Sequence, residues 1–223
     1  DVTRLPALSG LASVAEGPAQ WRAVWERPGW MPRESAQSRQ SSLTLRSDLA
    51  GTALSLPLGL SKDASVTRDT QIRWAWGADQ SQDVRLAYGD QLHAHGRWPA
   101  DGQGRLGVNF GADPAVLPTQ AVTQISGTLP VVALDGLTGD QNPVESSWAQ
   151  RLPPLAGLDV ELAGIDVARW RIPATQVRAE VVDEIWRLRL DGAAAGQGQW
   201  RGSSPQQLTL DLTRLVVDRR PDL

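Results

Sequence analysis

The feature that most constrains the fold of this chain is an apolar residue at every second position, repeated in segment after segment. The stretch "EIWRLRLDG" at residues 184–192 shows the pattern, because Trp186, Leu188 and Leu190 alternate with charged residues. Successive side chains of a β-strand point to opposite faces, so this period places one face in an apolar environment and the other in water. The sequence therefore predicts strands with one apolar face.

Roughly a dozen such segments follow one another along the chain, separated by short turn signals. Gly89-Asp90 and Asp191-Gly192 are examples of these signals. Because a few residues suffice for a hairpin but not for a helical crossover, the spacing favours antiparallel neighbours. We expect an all-β fold with an antiparallel, strongly twisted sheet and short helical or irregular connections.

Five regions differ in their pattern. The alternation is interrupted twice, and residues 143–152 within the second interruption predict a short helix that Pro153-Pro154 would end. The predicted regions are an irregular lead-in over 1–40 with an edge strand near Trp21 to Trp25, a first β-sheet segment over 41–130, a connection over 131–156, a second β-sheet segment over 157–217 continuous with the first, and a tail over 218–223.

Composition excludes several classes of function. The 22 lysines and arginines are interspersed among 25 aspartates and glutamates, for a net charge of −3, so nucleic acid is not an expected partner. The chain has no cysteine, which removes disulfides and thiolate chemistry. No apolar run reaches the roughly 18 residues of a membrane helix.

Three patterns suggest chemistry, and each has a simpler explanation. "GQGRLG" at residues 102–107 matches a dinucleotide-binding fingerprint, but a strand follows it where a helix is required, which favours a hairpin turn.

His93 and His95 share a strand face without an identifiable third metal ligand, so a solvated polar face is favoured. Glu180, Asp183 and Glu184 are expected to solvate a turn, and nothing indicates nucleophilic catalysis.

The ten tryptophans are the most unusual feature of the composition. Tryptophan is costly to expose, so the favoured interpretation is that these side chains form a core. The alternative is a ligand-binding surface, on which aromatic and aliphatic rows along one sheet face bind acyl chains or sugars. Alternation alone does not distinguish the two, because both place the same residues on one face.

An ordered set of phrases resembles the AsmA-like superfamily, specifically its YhdP branch. These are "SDLAGTALSLPLGLSKDA" (47–64), "VRLAYGDQLHAHGRW" (84–98), "ISGTLPVVALDGL" (125–137) and "WRLRLDGAAAGQGQWRG" (186–202) followed by "LTLDLTRLVV" (208–217). The resemblance covers roughly residues 41–217. It departs from the family pattern in the connection after Gly136, where Trp148 comes late.

The resemblance implies a segment near the carboxyl-terminal side of a long periplasmic protein that an amino-terminal helix anchors in the inner membrane. Its sheet would curl into an elongated, β-taco-like apolar groove that carries phospholipid towards the outer membrane and supports the outer-membrane barrier. No cofactor, metal or catalytic residue is implied. The expected partners are phospholipid acyl chains and the remainder of the polypeptide.

The predicted groove lining consists of the apolar rows of the strands. Its residues are Leu43, Leu45, Leu54, Leu56, Ile72, Trp74, Trp76, Val84, Leu86, Leu106, Val108, Phe110, Leu158, Val160, Leu162, Trp186, Leu188, Leu190, Leu208, Leu210 and Leu212. Two other functions stay open: a scaffold for outer-membrane protein assembly, similar to the TamB branch, whose strand edges pair with client strands, and a carbohydrate-binding β-sandwich with exposed tryptophans.

Overall fold

The computed structural model describes residues 14–27, 40–133, 152–202 and 207–220. All regular elements within these ranges are β-strands, and the pairs with a defined register are antiparallel, which confirms the predicted all-β, antiparallel class. The helix predicted over residues 143–152 and most of the connection around it lie outside the described residues. Two compact units divide the chain, residues 1–123 with 146–154 and residues 124–145 with 155–223.

The first unit contains a sheet in the order β2-β3-β5-β6-β7-β8, beside a separate pair formed by β1 and β4. Its strands are β1 (Ala15–Glu16), β2 (Arg22–Glu26), β3 (Ser41–Ser47), β4 (Ala53–Leu54), β5 (Thr70–Trp76), β6 (Gln82–Tyr88), β7 (Leu92–Trp98) and β8 (Arg105–Phe110). Strand β2 therefore occupies the stretch in which the sequence predicted an edge strand.

Short connections explain why neighbours along the chain are neighbours in this sheet. Between β6 and β7 the chain turns at Gly89, whose φ of 52° is unfavourable for a side-chain-bearing residue. Between β5 and β6, the Asp79 carboxylate accepts hydrogen bonds from the Ser81 hydroxyl at 2.6 Å and the Ser81 backbone N–H at 3.1 Å. Both bonds lower the pKa of Asp79, and the bond from the hydroxyl has the larger effect.

The second unit contains a sheet in the order β9-β10-β12-β13-β14-β15, with β11 between β10 and β16. Its strands are β9 (Thr123–Ala133, of which Gln124 onwards belongs to this unit), β10 (Leu155–Val167), β11 (Trp170–Ile172), β12 (Thr175–Val182), β13 (Ile185–Gly192), β14 (Ala194–Arg201), β15 (Gln207–Leu215) and β16 (Asp218–Arg219). Within the described part of the chain, no helix is long and apolar enough to span a membrane.

Two local features of the second unit follow from its sequence. Asp183 and Glu184 form a two-residue turn between β12 and β13, with φ values of 53° and 63°, typical of the tight hairpin turn that matches strand twist. The expectation that these carboxylates lie in a turn is confirmed. A β-bulge between Ala195 and Gly196 interrupts the register with β15.

Candidate functional site

The first apolar face consists of the side chains that β3, β5, β6, β7 and β8 project to one side of the first unit's sheet. Directly opposed residues share a face, so the strand register places these side chains together. The face holds ten predicted lining residues together with Tyr88, Leu92, Ala94 and Trp98; the ten are Leu43, Leu45, Ile72, Trp74, Trp76, Val84, Leu86, Leu106, Val108 and Phe110.

The second apolar face is formed in the same way by β10, β12, β13, β14 and β15. Its predicted members are Leu158, Val160, Leu162, Trp186, Leu188, Leu190, Leu208, Leu210 and Leu212, joined by Val177, Ala179, Val181 and Trp200. On β14 the face is lined by Gly196 and Gly198, over which the leucines of β15 lie closely: a Cβ atom on Gly198 would come within 2.5 Å of the Leu210 side chain.

Leu54 and Leu56 are not part of either face through strand pairing. Leu54 lies in the two-residue strand β4, which pairs with β1, and Leu56 lies outside the strands. The prediction that both share one strand face is therefore wrong. The physical reason is the turn at residues 57–60, which returns the chain so that Lys62 pairs with Leu54.

Both faces are partly open to solvent, because most of their side chains are half-buried and several are exposed. Leu208 is 56% exposed and Trp74 is 39% exposed, whereas a closed core would leave such side chains under a tenth exposed. Trp30 and Trp148 lie outside the described residues, and none of the other eight tryptophans is buried. In the part of the chain described, the tryptophans are thus exposed or half-buried, so the favoured interpretation of tryptophan as core is not confirmed there, and the alternative of a ligand-binding surface stays a prediction.

Four tryptophans gather at one end of the first apolar face. Trp74 and Trp76 stack with ring centroids 5.0 Å apart, and Trp25 on the neighbouring strand β2 lies 5.4 Å from Trp76. The ring of Trp98 covers Gly96 and Gly104, where a Cβ atom would come within 2.3 Å of it. Glycine at these positions lets the indole lie flat on the sheet.

The opposite end of the first apolar face is closed by a segment that we call the cap, residues 48–64. Tyr88 donates its hydroxyl hydrogen to the Leu60 carbonyl over 3.0 Å, which ties the cap to the sheet. Lys62 is only 5% exposed, and its ammonium group donates to the carbonyls of Thr52 and Asp63. The sequence showed Lys62 as the single lysine but gave no sign that it is buried.

The polar faces carry the groups that suggested chemistry. His95 lies 3.0 Å from Asp83, which also contacts Arg85 at 3.4 Å. His93 occupies the same face of β7, and no group of three metal-ligating side chains occurs among the described residues. The "GQGRLG" stretch runs from the β7–β8 turn into β8, which confirms the hairpin interpretation.

A buried ion pair lies beyond the second apolar face, where β10 pairs with β11. Asp166, 4% exposed, accepts two hydrogen bonds from Arg171 at 2.7 and 3.0 Å, and Arg220 lies 3.4 Å from the same carboxylate. The hydrogen bond from Arg171, followed by the positive charges of Arg171 and Arg220, lowers the pKa of Asp166. This arrangement stabilises the β10–β11 hairpin against β16.

The fold and its faces define an all-β, antiparallel class of protein in which apolar sheet faces stay partly exposed. Within that class the chain belongs to the YhdP family: the family model described as "YhdP protein" matches residues 2–222. This match confirms the resemblance that the ordered phrases indicated. No curated protein and no solved structure matches the chain.

Proposed function

We propose that this chain is a segment of a periplasmic, bridge-like lipid-transfer protein that carries phospholipid between the inner and outer membranes. The observation that supports the proposal most directly is the exposure of part of each apolar face, where Trp74 on the first and Leu208 and Leu210 on the second are more than a third exposed. Membership of the YhdP family agrees with it, since the resemblance to that family implied a periplasmic protein.

The physics of such a face suits acyl chains. Removing apolar surface from water is favourable by about 25 cal/mol per Å², so a lipid tail laid on the face is held without a base, metal or cofactor. The strand backbone is already hydrogen-bonded laterally and offers no competing polar groups. We propose that the sheets curl around these faces to form the groove, that the bound phospholipid moves along it, and that no enzymatic step is involved.

The remaining partner in this proposal is the rest of a longer polypeptide with an inner-membrane anchor. Strand β2 has every residue exposed and would pair with that continuation. The proposal therefore places the chain in the periplasm as one section of a larger protein that supports the outer-membrane barrier.

Photo-crosslinking in cells tests the proposal. A photoreactive amino acid at Trp74, Leu86, Trp186 or Leu210 is expected to capture phospholipid. Matched controls are the adjacent positions on the opposite strand faces, which are Arg73, Arg85, Arg187 and Asp211. Equal capture from both sets, or none from either, would contradict lipid binding by the apolar faces.

One observation favours a second function, a scaffold for outer-membrane protein assembly. All nine residues of β15 are exposed, and within the described residues its outer edge has no partner strand. Exposed edges pair with extended peptides. Crosslinks from β15 edge positions to unfolded outer-membrane proteins, without crosslinks to lipid, would support this function instead.

Binding of soluble glycans with a change in tryptophan fluorescence would support the carbohydrate alternative.

A further inference from the structure

We infer that the first apolar face holds its amphiphile in one orientation, with the polar head at the end where tryptophans cluster and the tails directed towards the opposite, closed end. The inference rests on the proposed function and adds to it which part of the ligand each end contacts. In the first unit, the tryptophan end is the row Trp76, Gln82 and Trp98, and the closed end is the row Ser47, Thr70, Tyr88 and Phe110.

The closed end is filled by the protein itself. Ser47, Thr70, Tyr88 and Phe110 are each between 5% and 9% exposed. The cap packs there, with Leu60 only 9% exposed and hydrogen-bonded to Tyr88. A hydrated headgroup is too polar and too large for a space that is already occupied, so it cannot be accommodated at this end.

The tryptophan end is open and combines apolar and polar groups. Trp25 is 59% exposed and Trp74 39% exposed. The side-chain amide of Gln82 stands between Trp76 and Trp98 in the same cross-strand row. Indoles prefer the boundary between an apolar phase and water, and an amide both donates to and accepts from ester, phosphate and hydroxyl oxygens. This composition matches the boundary between the tails and the head of an amphiphile.

The dimensions agree with this orientation. Thr70 and Trp76 lie at opposite ends of β5, six residues apart, which at a rise of about 3.4 Å per residue corresponds to about 20 Å. One leaflet of a bilayer contributes about 15 Å of hydrocarbon, half the thickness of the core. An acyl chain laid along the strands from the tryptophan end therefore covers about 15 Å of this distance and fits without entering the closed end.

The second unit shares one part of this arrangement. Trp186 and Trp200 lie opposite each other at one end of its apolar face, with ring centroids 6.3 Å apart, in a row whose outermost member is Leu208 at 56% exposure. At the other end, Thr175 is 1% exposed and Ala194 is 3% exposed, but Leu215, which pairs with Ala194, is 51% exposed. The tryptophan pair is therefore common to both units, whereas the closed end is a property of the first.

Two photoreactive phospholipids test the inference on the purified chain. One carries a diazirine on the headgroup and the other carries it on the terminal carbon of an acyl chain, and crosslinked residues are mapped by mass spectrometry. The headgroup probe is expected to label the surroundings of Gln82 and Trp98, and the tail probe those of Leu45 and Leu86, in the row next to the closed end. Equal labelling of both ends by both probes, or the reverse pattern, would overturn the orientation but leave lipid binding intact. No labelling of the face would contradict the proposed function itself.

A substitution tests the head contact separately. Gln82→Leu removes an amide at the tryptophan end, and Gln71→Leu removes a similarly half-buried amide from the opposite face. Loss of one hydrogen bond to the headgroup is expected to weaken phospholipid binding by about fivefold for Gln82→Leu. Gln71→Leu should leave affinity unchanged. An equal effect of the two substitutions, or none for Gln82→Leu, would contradict a headgroup contact at this row.

Discussion

Tyr88 and Leu60 are joined by a hydrogen bond of 3.0 Å from the tyrosine hydroxyl to the leucine carbonyl, 28 residues apart in the chain. The bond links a strand of the first sheet to the cap, and both residues are under a tenth exposed. The Arg68 guanidinium lies over the Tyr88 ring, 4.8 Å from its centroid. The closed end of the first apolar face is therefore packed. If the Tyr88 hydroxyl were removed, few other donors could reach the Leu60 carbonyl.

Tyr88→Phe tests that contact. The substitution keeps the ring and leaves the buried Leu60 carbonyl without its donor, so the free energy of unfolding should fall by about 1–3 kcal/mol. Thr213→Val is the control, because its hydroxyl donates to the Ala195 carbonyl at an exposed site, where the expected change is within about 0.5 kcal/mol. Chemical denaturation measures both. Equal destabilisation would show that the cap does not depend on Tyr88.

Gly196 at the β-bulge is expected to be irreplaceable by alanine. Its φ is +153°, and a Cβ atom would lie 2.2 Å from the Asp211 carbonyl oxygen of the paired strand. Gly111 is the matched control: its φ is +131°, but the nearest atom to a Cβ atom there is the Asn109 amide nitrogen at 3.8 Å.

Both alanine substitutions incur backbone strain of about 1–3 kcal/mol. Only Gly196→Ala also forces two paired strands apart, so it should destabilise the second unit more than Gly111→Ala destabilises the first. Thermal unfolding of the two variants checks this order. The reverse order would mean that the bulge accommodates a side chain by shifting β15.

In β13 and β15 the alternation of apolar residues was sufficient to predict the strands and which side chains share a face, whereas at Leu54 and Leu56 it was not. Trp186, Leu188 and Leu190 share a face with Leu208, Leu210 and Leu212 because a period of two has one physical interpretation in a sheet. Alternation could not show whether that face is covered, since burial depends on what packs on it from elsewhere in the chain.

The cap was the part that sequence reasoning missed. Leu49 and Leu58 adopt φ values of 50° and 59°, which leucine rarely does, so no turn rule predicts them. The burial of Lys62 depends on carbonyls that only the folded cap brings together. Local propensity fails here because tertiary packing determines the backbone conformation.

Asp166 should make the stability of the second unit depend on pH in acid. Its pKa in the folded chain is lowered below the ordinary 3.8, chiefly by the hydrogen bond from Arg171. A lowered carboxyl pKa stabilises the fold at all pH values above the ordinary one, and this contribution is lost as pH falls through the folded value. Asp166→Asn should therefore be less stable than the unchanged chain at neutral pH.

The difference between the two proteins should shrink as pH falls below about 3.8. Asp79, whose pKa is also lowered, is present in both and cancels in the comparison. Asp159→Asn is the control, because that carboxylate is 55% exposed in its contact with Arg178. Urea denaturation at several pH values measures the difference. A difference that stays constant to the lowest pH would show that the charge of Asp166 is not what stabilises the hairpin.

Truncation of leucine on an exposed face is expected to have little effect on stability, and this is the sharpest test that the second apolar face is open. Leu210 is 43% exposed, so Leu210→Ala should cost less than about 1 kcal/mol. Val160 lies on the same face but is only 2% exposed, and Val160→Ala should cost about 2 kcal/mol because it leaves a cavity. Denaturation of both variants gives the comparison. If Leu210→Ala were as costly as Val160→Ala, Leu210 would be buried against protein, and the face would not be available to lipid.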